Sequence, residues 1–250
     1  MDIRQGVMES AEYIDSMFSS MLQGTSRVLN SLPSQCLVCH AWPAQPICET
    51  CVSRFAQPQP RCETCALPVP SHIRRCGACV KNPPPLDACL AAVAYAFPWS
   101  DLIVDYKFHN NPGLANAFAL LLRSTPWVEP ALDAADLVLT MPLSRQRLQT
   151  RGFNQALLLA HRLAPDKADT SLLLRIKDTP AQSSLKRAER LDSLKDAFAV
   201  DPLLVTQLKG ARVVLVDDVM TSGASLFCAA RTLRAAGTAH ITGLVIARTE

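Results

Sequence analysis

The chain lacks any run of eighteen consecutive apolar residues, so the sequence predicts no membrane span. It also lacks the basic start and apolar stretch of a secretory leader. Acids stand at Asp2 and Glu9 instead, and the expected location is the cytoplasm. Glycine is scarce, nine residues against eighteen prolines. Most of the prolines fall between Pro33 and Pro130, which implies a loop-rich first half. Neither Gly-x-x-x-x-Gly-Lys-Ser/Thr nor Gly-x-Gly-x-x-Gly occurs, which excludes a P-loop and a dinucleotide-binding turn. Charged residues are few, 19% against 49% apolar. That balance belongs to globular proteins, and 250 residues allow one good core plus a smaller module.

Cysteine is what the chain has in excess. Ten cysteines in a cytoplasmic protein call for metal or redox chemistry, because disulfides are disfavoured there. Eight of them form four Cys-x-x-Cys pairs within residues 34–85: Cys36/Cys39, Cys48/Cys51, Cys62/Cys65 and Cys76/Cys79. Two intervening residues let both sulfurs turn toward one metal, and four thiolates close a tetrahedral, structural site. The pattern predicts two zinc ions in a double zinc ribbon, with the first pair joining the second and the third joining the fourth. A cross-braced pairing stays open. A thioredoxin-like pair needs a βαβ context that this segment lacks, and the ribbon-like spacing favours zinc over an iron–sulfur cluster. Cys89 and Cys228 stand alone in apolar surroundings and read as small core residues. His40 reads as a surface residue. The formal charge of +3 counts neutral thiols. Eight thiolates and two zinc ions lower it by four, to near −1, so net charge carries no argument for nucleic acid.

Residues 1–33 place Ile14, Met17, Phe18, Met21 and Leu22 at helical spacing, which predicts an amphipathic N-terminal helix. Its polar face is poor in Lys and Arg, unlike a membrane-surface helix. Pro83–Pro85 mark a boundary. Beyond it, residues 86–250 alternate apolar helices with short β-rich runs, as an α/β domain with a parallel sheet does.

Within that domain, Ala211–Val216 reads as a buried strand, with Asp217 and Asp218 at its end. Thr221, Ser222, Gly223, Ala224 and Ser225 form a small, hydroxyl-rich turn before a helix over Leu226–Ala236. A second buried strand follows over His240–Ala247. A helix N-terminus offers N–H groups and a positive dipole end to a phosphate. Two carboxylates beside it can accept hydrogen bonds from a vicinal diol. A ribose 5-phosphate carries both groups. A receiver domain also pairs aspartates after a strand, but needs more chain than the 32 residues after Asp218. Earlier, a strand over Asp136–Met141 leads into Arg145, Arg147 and Arg151, ahead of a helix from about Gly152. Clustered guanidinium groups suit a pyrophosphate, although a solvated basic face is the plain alternative.

Val213–Ser225, VVLVDDVMTSGAS, resembles the 5-phosphoribosyl 1-pyrophosphate (PRPP) motif of type I phosphoribosyltransferases. The resemblance implies that Asp217 and Asp218 hold the ribose hydroxyls, that Thr221–Ser225 hold the 5′-phosphate, and that Mg²⁺ arrives with the pyrophosphate. The cysteine pairs, Tyr106-Lys107 and Met141–Gln155 (MPLSRQRLQTRGFNQ) together resemble the ComF family, associated with competence and DNA uptake. That likeness spans most of residues 34–250. It implies a phosphoribosyltransferase-like fold, Lys107, Arg147 and Arg151 as ligand or catalytic residues, and a pentosyl transfer whose acceptor the sequence does not name. Gln182, Leu185, Arg190 and Phe198 match a further family segment. Ser193 replaces its usual Asn, Ser144 a common His, and Met141 a Val.

The competing expectation is a catalytically silent accessory protein that senses PRPP or binds single-stranded DNA or competence proteins. Arg54, Arg61, Arg74 and Arg75, with Trp42 and Phe55, would supply charge and stacking surface for a single strand.

Overall fold

The computed structural model describes residues 34–109, 111–177 and 196–250. The expected N-terminal helix over 1–33, and all but the end of the Gln182–Phe198 segment, lie outside the described residues. The chain divides into two compact units, Met1–Cys48 and Glu49–Glu250. In the first, Ser34 and Ala44 form an antiparallel bridge, and a tight turn returns the His40 N–H to the Cys36 carbonyl at 2.8 Å.

The second unit opens with two short helices, α1 (Glu49–Phe55) and α2 (Gly77–Lys81). Strand β1 (Ala88–Ala94) follows, then helices α3 (Trp99–Phe108), α4 (Leu114–Arg123) and α5 (Val128–Asp133). Next come β2 (Leu137–Thr140), α6 (Arg145–Arg151), α7 (Gln155–Leu163), β3 (Ala168–Asp169), β4 (Leu173–Arg175) and β5 (Phe198–Val200). The chain then forms β6 (Arg212–Met220), α8 (Ala224–Ala235) and β7 (His240–Arg248).

Five strands form one sheet in the order β1-β7-β6-β2-β3, and every neighbouring pair is parallel. β4 and β5 make a separate antiparallel pair. The sheet is the parallel α/β architecture that the sequence predicts, and its valine- and leucine-rich strands are buried on both faces. Alternation along β6 divides the core. Val213 and Leu215 join Leu226, Ala230 and Leu233 of α8 in one cluster. Val214 and Val216 are equally buried and serve the opposite face, where α7 packs against β6 and α4 against α7. The cysteines of the third and fourth pairs belong to the α8-side cluster, so this ribbon is part of the main core. Among the described residues no helix is long and apolar enough to cross a membrane.

Candidate functional site

The centre of the sheet is where one strand outruns its neighbour. β2 pairs with β6 only as far as Thr140 opposite Val216, while β7 accompanies β6 to its last residue, Met220 opposite Arg248. The strand therefore continues through Asp217 and Asp218 instead of ending before them, because β7 still supplies a ladder there. On the β2 side the last residues of β6 run on past the end of the β2 ladder at the carboxyl edge of the sheet, the position where open α/β sheets take ligands. Successive side chains leave a strand on opposite faces. Asp218, 7% exposed, shares the side of Val214 and Val216. The Asp217 carboxylate turns back and accepts the Asp218 N–H at 2.9 Å. Burial and then the adjacent Asp218 charge push the Asp217 carboxyl up to about 7, against the pull of Lys107 and Arg151.

Lys107 is brought to Asp218 by α3. Its Nζ lies 2.9 Å from Asp218 Oδ1, and both side chains are mostly buried. The neighbouring Tyr106 fixes the helix. It is fully buried, donates its hydroxyl to the Gln155 carbonyl at 2.9 Å, and sets its ring between Phe118 and Phe153 at 5.4 and 5.9 Å.

The arginines lie on a short helix of their own, not on the turn the sequence predicts. Ser144 starts α6 by accepting the Arg147 N–H at 3.3 Å, and Gly152 ends it at φ +78°. The next helix begins only at Gln155. Asn154 caps it by accepting the N–H groups of Ala156 and Leu157, and its amide donates to the Met141 carbonyl at 3.2 Å. That bond fastens α7 to the end of β2. Gly152, Phe153 and Asn154 thus each have a place: a helix end, an aromatic contact to Tyr106, and a cap that is also the brace to β2. Arg151 lies over the Phe108 ring at 4.9 Å and donates to Gln155 Oε1 at 3.0 Å. Burial lowers its pKa, Asp218 and Asp217 oppose that, and Arg147 adds to it. Lys107, Arg147, Arg151, Asp217 and Asp218 therefore share one electrostatic neighbourhood.

Directly after β6 the chain turns through Thr221, Ser222 and Gly223 into α8, which begins at Ala224, two residues earlier than the sequence implies. Gly223 has φ +77°, and a Cβ there would sit 2.5 Å from Met220 Cε and 2.8 Å from the Phe227 ring. Both the backbone and the space call for glycine. The loop thus delivers Ser222, Ala224 and Ser225 to the first turn of α8, where helix N–H groups have no partner within the helix. The turn is braced from below by Arg248, the last residue of β7. Its guanidinium donates to the carbonyls of Met220, at 3.1 Å, and of Thr221 and Thr249.

Both cysteine sets assemble as sequential pairs. Cys36, Cys39, Cys48 and Cys51 form one cluster and Cys62, Cys65, Cys76 and Cys79 the other, each with its sulfurs within 4.8 Å of one another. Cys39 and Cys48 sulfurs are 3.6 Å apart, and those of Cys65 and Cys76 3.7 Å. A tetrahedron with ~2.3 Å zinc–sulfur bonds has an edge of about 3.8 Å. The donor chemistry also fits. The Cys48 N–H points at Cys36 Sγ at 3.4 Å and the Cys76 N–H at Cys62 Sγ at 3.3 Å. Burial opposes ionisation of Cys36 and Cys62, yet N–H groups donating to each sulfur bring both thiols down to about 6, toward the thiolate a metal needs. Each cluster can hold a zinc ion. Cys89 and Cys228 are buried, and His40 is exposed.

Two site features escaped sequence reasoning. Gln155, 1% exposed, orients Arg151; the resemblance carried by Met141–Gln155 included it but gave it no role. Arg248 is 8% exposed at the end of the apolar run HITGLVIA. A charge continuing a fully buried strand was the available signal.

No family model matches the chain. Curated relatives do. DNA utilization protein YhgH of Salmonella typhimurium is 30% identical over 233 residues, 88% of this chain and 99% of the relative. Competence protein F of Haemophilus influenzae is 31% identical over 181 residues, 69% of this chain and 77% of that protein. Competence protein ComFC of Bacillus subtilis is 34% identical over 134 residues, covering 54% of this chain and 52% of its own length. With cysteine clusters, parallel sheet and near full-length similarity in agreement, the chain belongs to the ComF family.

Proposed function

We propose that this chain is a cytoplasmic PRPP-binding protein of the phosphoribosyltransferase type that serves DNA uptake or the use of imported DNA. A zinc-ribbon module over residues 34–85 is joined to a ligand-binding domain over 86–250. One observation carries the reading. Asp217 and Asp218 stand at the end of a central parallel strand that outruns its neighbour, beside Lys107 and Arg151, and directly ahead of a helix entered through Gly223. The relatives, a DNA utilization protein and a competence protein, supply the biological setting.

In this reading the first turn of α8 and the hydroxyls of Thr221, Ser222 and Ser225 hold the 5′-phosphate. Asp217 and Asp218 take the ribose diol. Lys107, paired with Asp218, turns with Arg147 and Arg151 to the pyrophosphate. Mg²⁺ bound with PRPP would add charge neutralisation on the same oxygens. Transfer would break the bond from the anomeric carbon to pyrophosphate, which leaves, and form one from that carbon to the nucleophilic atom of the acceptor, and the protein contributes positioning and charge stabilisation. Calorimetric titration with PRPP and Mg²⁺ tests the reading. Saturable binding that disappears in the Asp217→Ala, Asp218→Ala double variant is expected; no saturation, or binding that survives both substitutions, contradicts it.

A second reading is single-stranded nucleic acid as partner. It is favoured by an aromatic pair on the surface: Phe55 and Phe97 meet edge-to-face at 5.7 Å, Phe97 is 65% exposed, and Arg54 lies over Phe55 at 5.2 Å. An affinity for single strands that falls with salt and is lost on chelation supports it; an affinity indifferent to salt argues against it.

A further inference from the structure

Arg248 joins two features that the sequence keeps far apart. One is the knuckle of the second cysteine cluster. There Cys62 and Cys65 bracket a tight turn in which the Ala66 N–H returns to the Cys62 carbonyl at 2.8 Å, and Ala66, fully buried, adopts φ 55°. The other is the turn from β6 into α8. The Arg248 Nε donates to the Cys65 carbonyl at 2.9 Å, while Nη1 donates to the carbonyls of Met220, Thr221 and Thr249. A single planar group therefore spans a metal ligand's backbone and the backbone of the phosphate-binding turn. Its fork has fixed geometry, so displacement of one set of acceptors displaces the other. Two further contacts run alongside. Arg61 donates to the Ala66 carbonyl at 3.1 Å, and the Cys89 thiol reaches the Met220 sulfur at 3.6 Å while its N–H donates to the Glu63 carbonyl at 2.7 Å.

The metal enters through the shape of the knuckle. A left-handed conformation at a non-glycine residue persists only where its surroundings hold it. Cys62 and Cys65 held by one zinc ion would provide that hold for Ala66 and keep the Cys65 carbonyl aimed at Arg248.

We propose that Arg248 is a positioning residue through which zinc in the second cluster, Cys62/Cys65/Cys76/Cys79, sets the conformation of the Thr221–Ser225 turn, making ligand uptake by this turn dependent on that zinc. The consequence for ligand rests on the reading of the turn as the 5′-phosphate site of PRPP; the mechanical coupling does not.

Hydrogen–deuterium exchange on the full chain separates the two. With both zinc ions bound, the wild type is expected to protect the Phe227 and Thr249 amides, which donate to the Gly223 and Met220 carbonyls on either side of the turn. Cys76→Ser, which dismantles the second cluster, is expected to speed exchange of these two amides by about tenfold, and Cys39→Ser in the first cluster to leave it unchanged. Arg248→Met is expected to give the same acceleration while retaining two zinc ions per chain, and to add little when combined with Cys76→Ser. Arg248→Lys keeps the charge without the fork and serves where Arg248→Met folds poorly; it is expected to lie between. Turn exchange indifferent to Cys76→Ser, or equal in Arg248→Met and wild type, overturns the coupling. PRPP titration with Mg²⁺ forms the second arm, with affinity expected to fall about tenfold in Arg248→Met. If the wild type takes up no PRPP while exchange follows the second cluster, the PRPP reading fails and the coupling stands. If the wild type binds PRPP and the turn ignores both substitutions, the coupling fails and the PRPP reading stands.

Discussion

Asp217 carries a measurable consequence at the scale of one side chain. Burial and Asp218 raise its carboxyl to about 7, so the folded chain holds a proton that the unfolded chain has already released. From the ordinary carboxylate range up to about 7 the folded state binds more protons. Stability therefore falls as pH rises through that window and levels off above it. Asp217→Asn removes the group responsible. Its denaturant midpoint is expected to gain on that of the wild type between about pH 5 and pH 8, by on the order of 1–3 kcal/mol in stability. A difference that stays constant over this range contradicts the assignment. Lys107 Nζ lies 2.9 Å from Asp218, so this carboxylate has a cation in direct contact. Among the described residues no such ion pair is made by Asp217.

Among the elements, α6 and α7 do more to build the site than their length implies. Neither is placed by a long apolar face alone. Their boundaries are set by Ser144, Gly152 and Asn154, and these boundaries aim Arg147 and Arg151. Asn154 is the critical one, because it caps α7 and also bonds to the end of β2 through the Met141 carbonyl. Asn154→Ala is expected to destabilise the chain by about 1–2 kcal/mol and to weaken PRPP binding. Asn154→Asp, which keeps the cap acceptor but loses the donor to Met141, is expected to recover much of the stability and little of the binding. Thermal unfolding and titration of both variants check this; full recovery of binding in Asn154→Asp would show that the brace to β2 is unimportant.

Over the whole molecule, what sequence made visible was local chemistry with fixed spacing. The four Cys-x-x-Cys pairs announced two metal clusters because two residues is the separation that points both sulfurs one way. The run VVLVDDVMTSGAS announced a buried strand, paired carboxylates and a small turn. What stayed hidden depends on partners distant in sequence. The extent of β6 is decided by β7 continuing beside it and β2 stopping short. Lys107 meets Asp218 across 111 positions because α3 is pinned by Tyr106. Arg248 holds Cys65 across 183. No local pattern encodes these meetings, and the merging of the second ribbon with the α8-side core was equally out of reach. The residues of 34–85 lack helical or strand periodicity, so nothing in them marks a face for that core.

The most direct test of the central claim watches the phosphates themselves. In ³¹P NMR of PRPP with Mg²⁺, adding wild-type chain is expected to shift or broaden both the 5′-phosphate and the pyrophosphate resonances until one equivalent is reached. Gly223→Ala, which crowds the turn at φ +77°, is expected to weaken the 5′-phosphate effect most. Phosphate resonances that remain unperturbed by the zinc-loaded wild type, or an identical response from the Asp217→Ala, Asp218→Ala variant, would contradict a PRPP site at the end of β6.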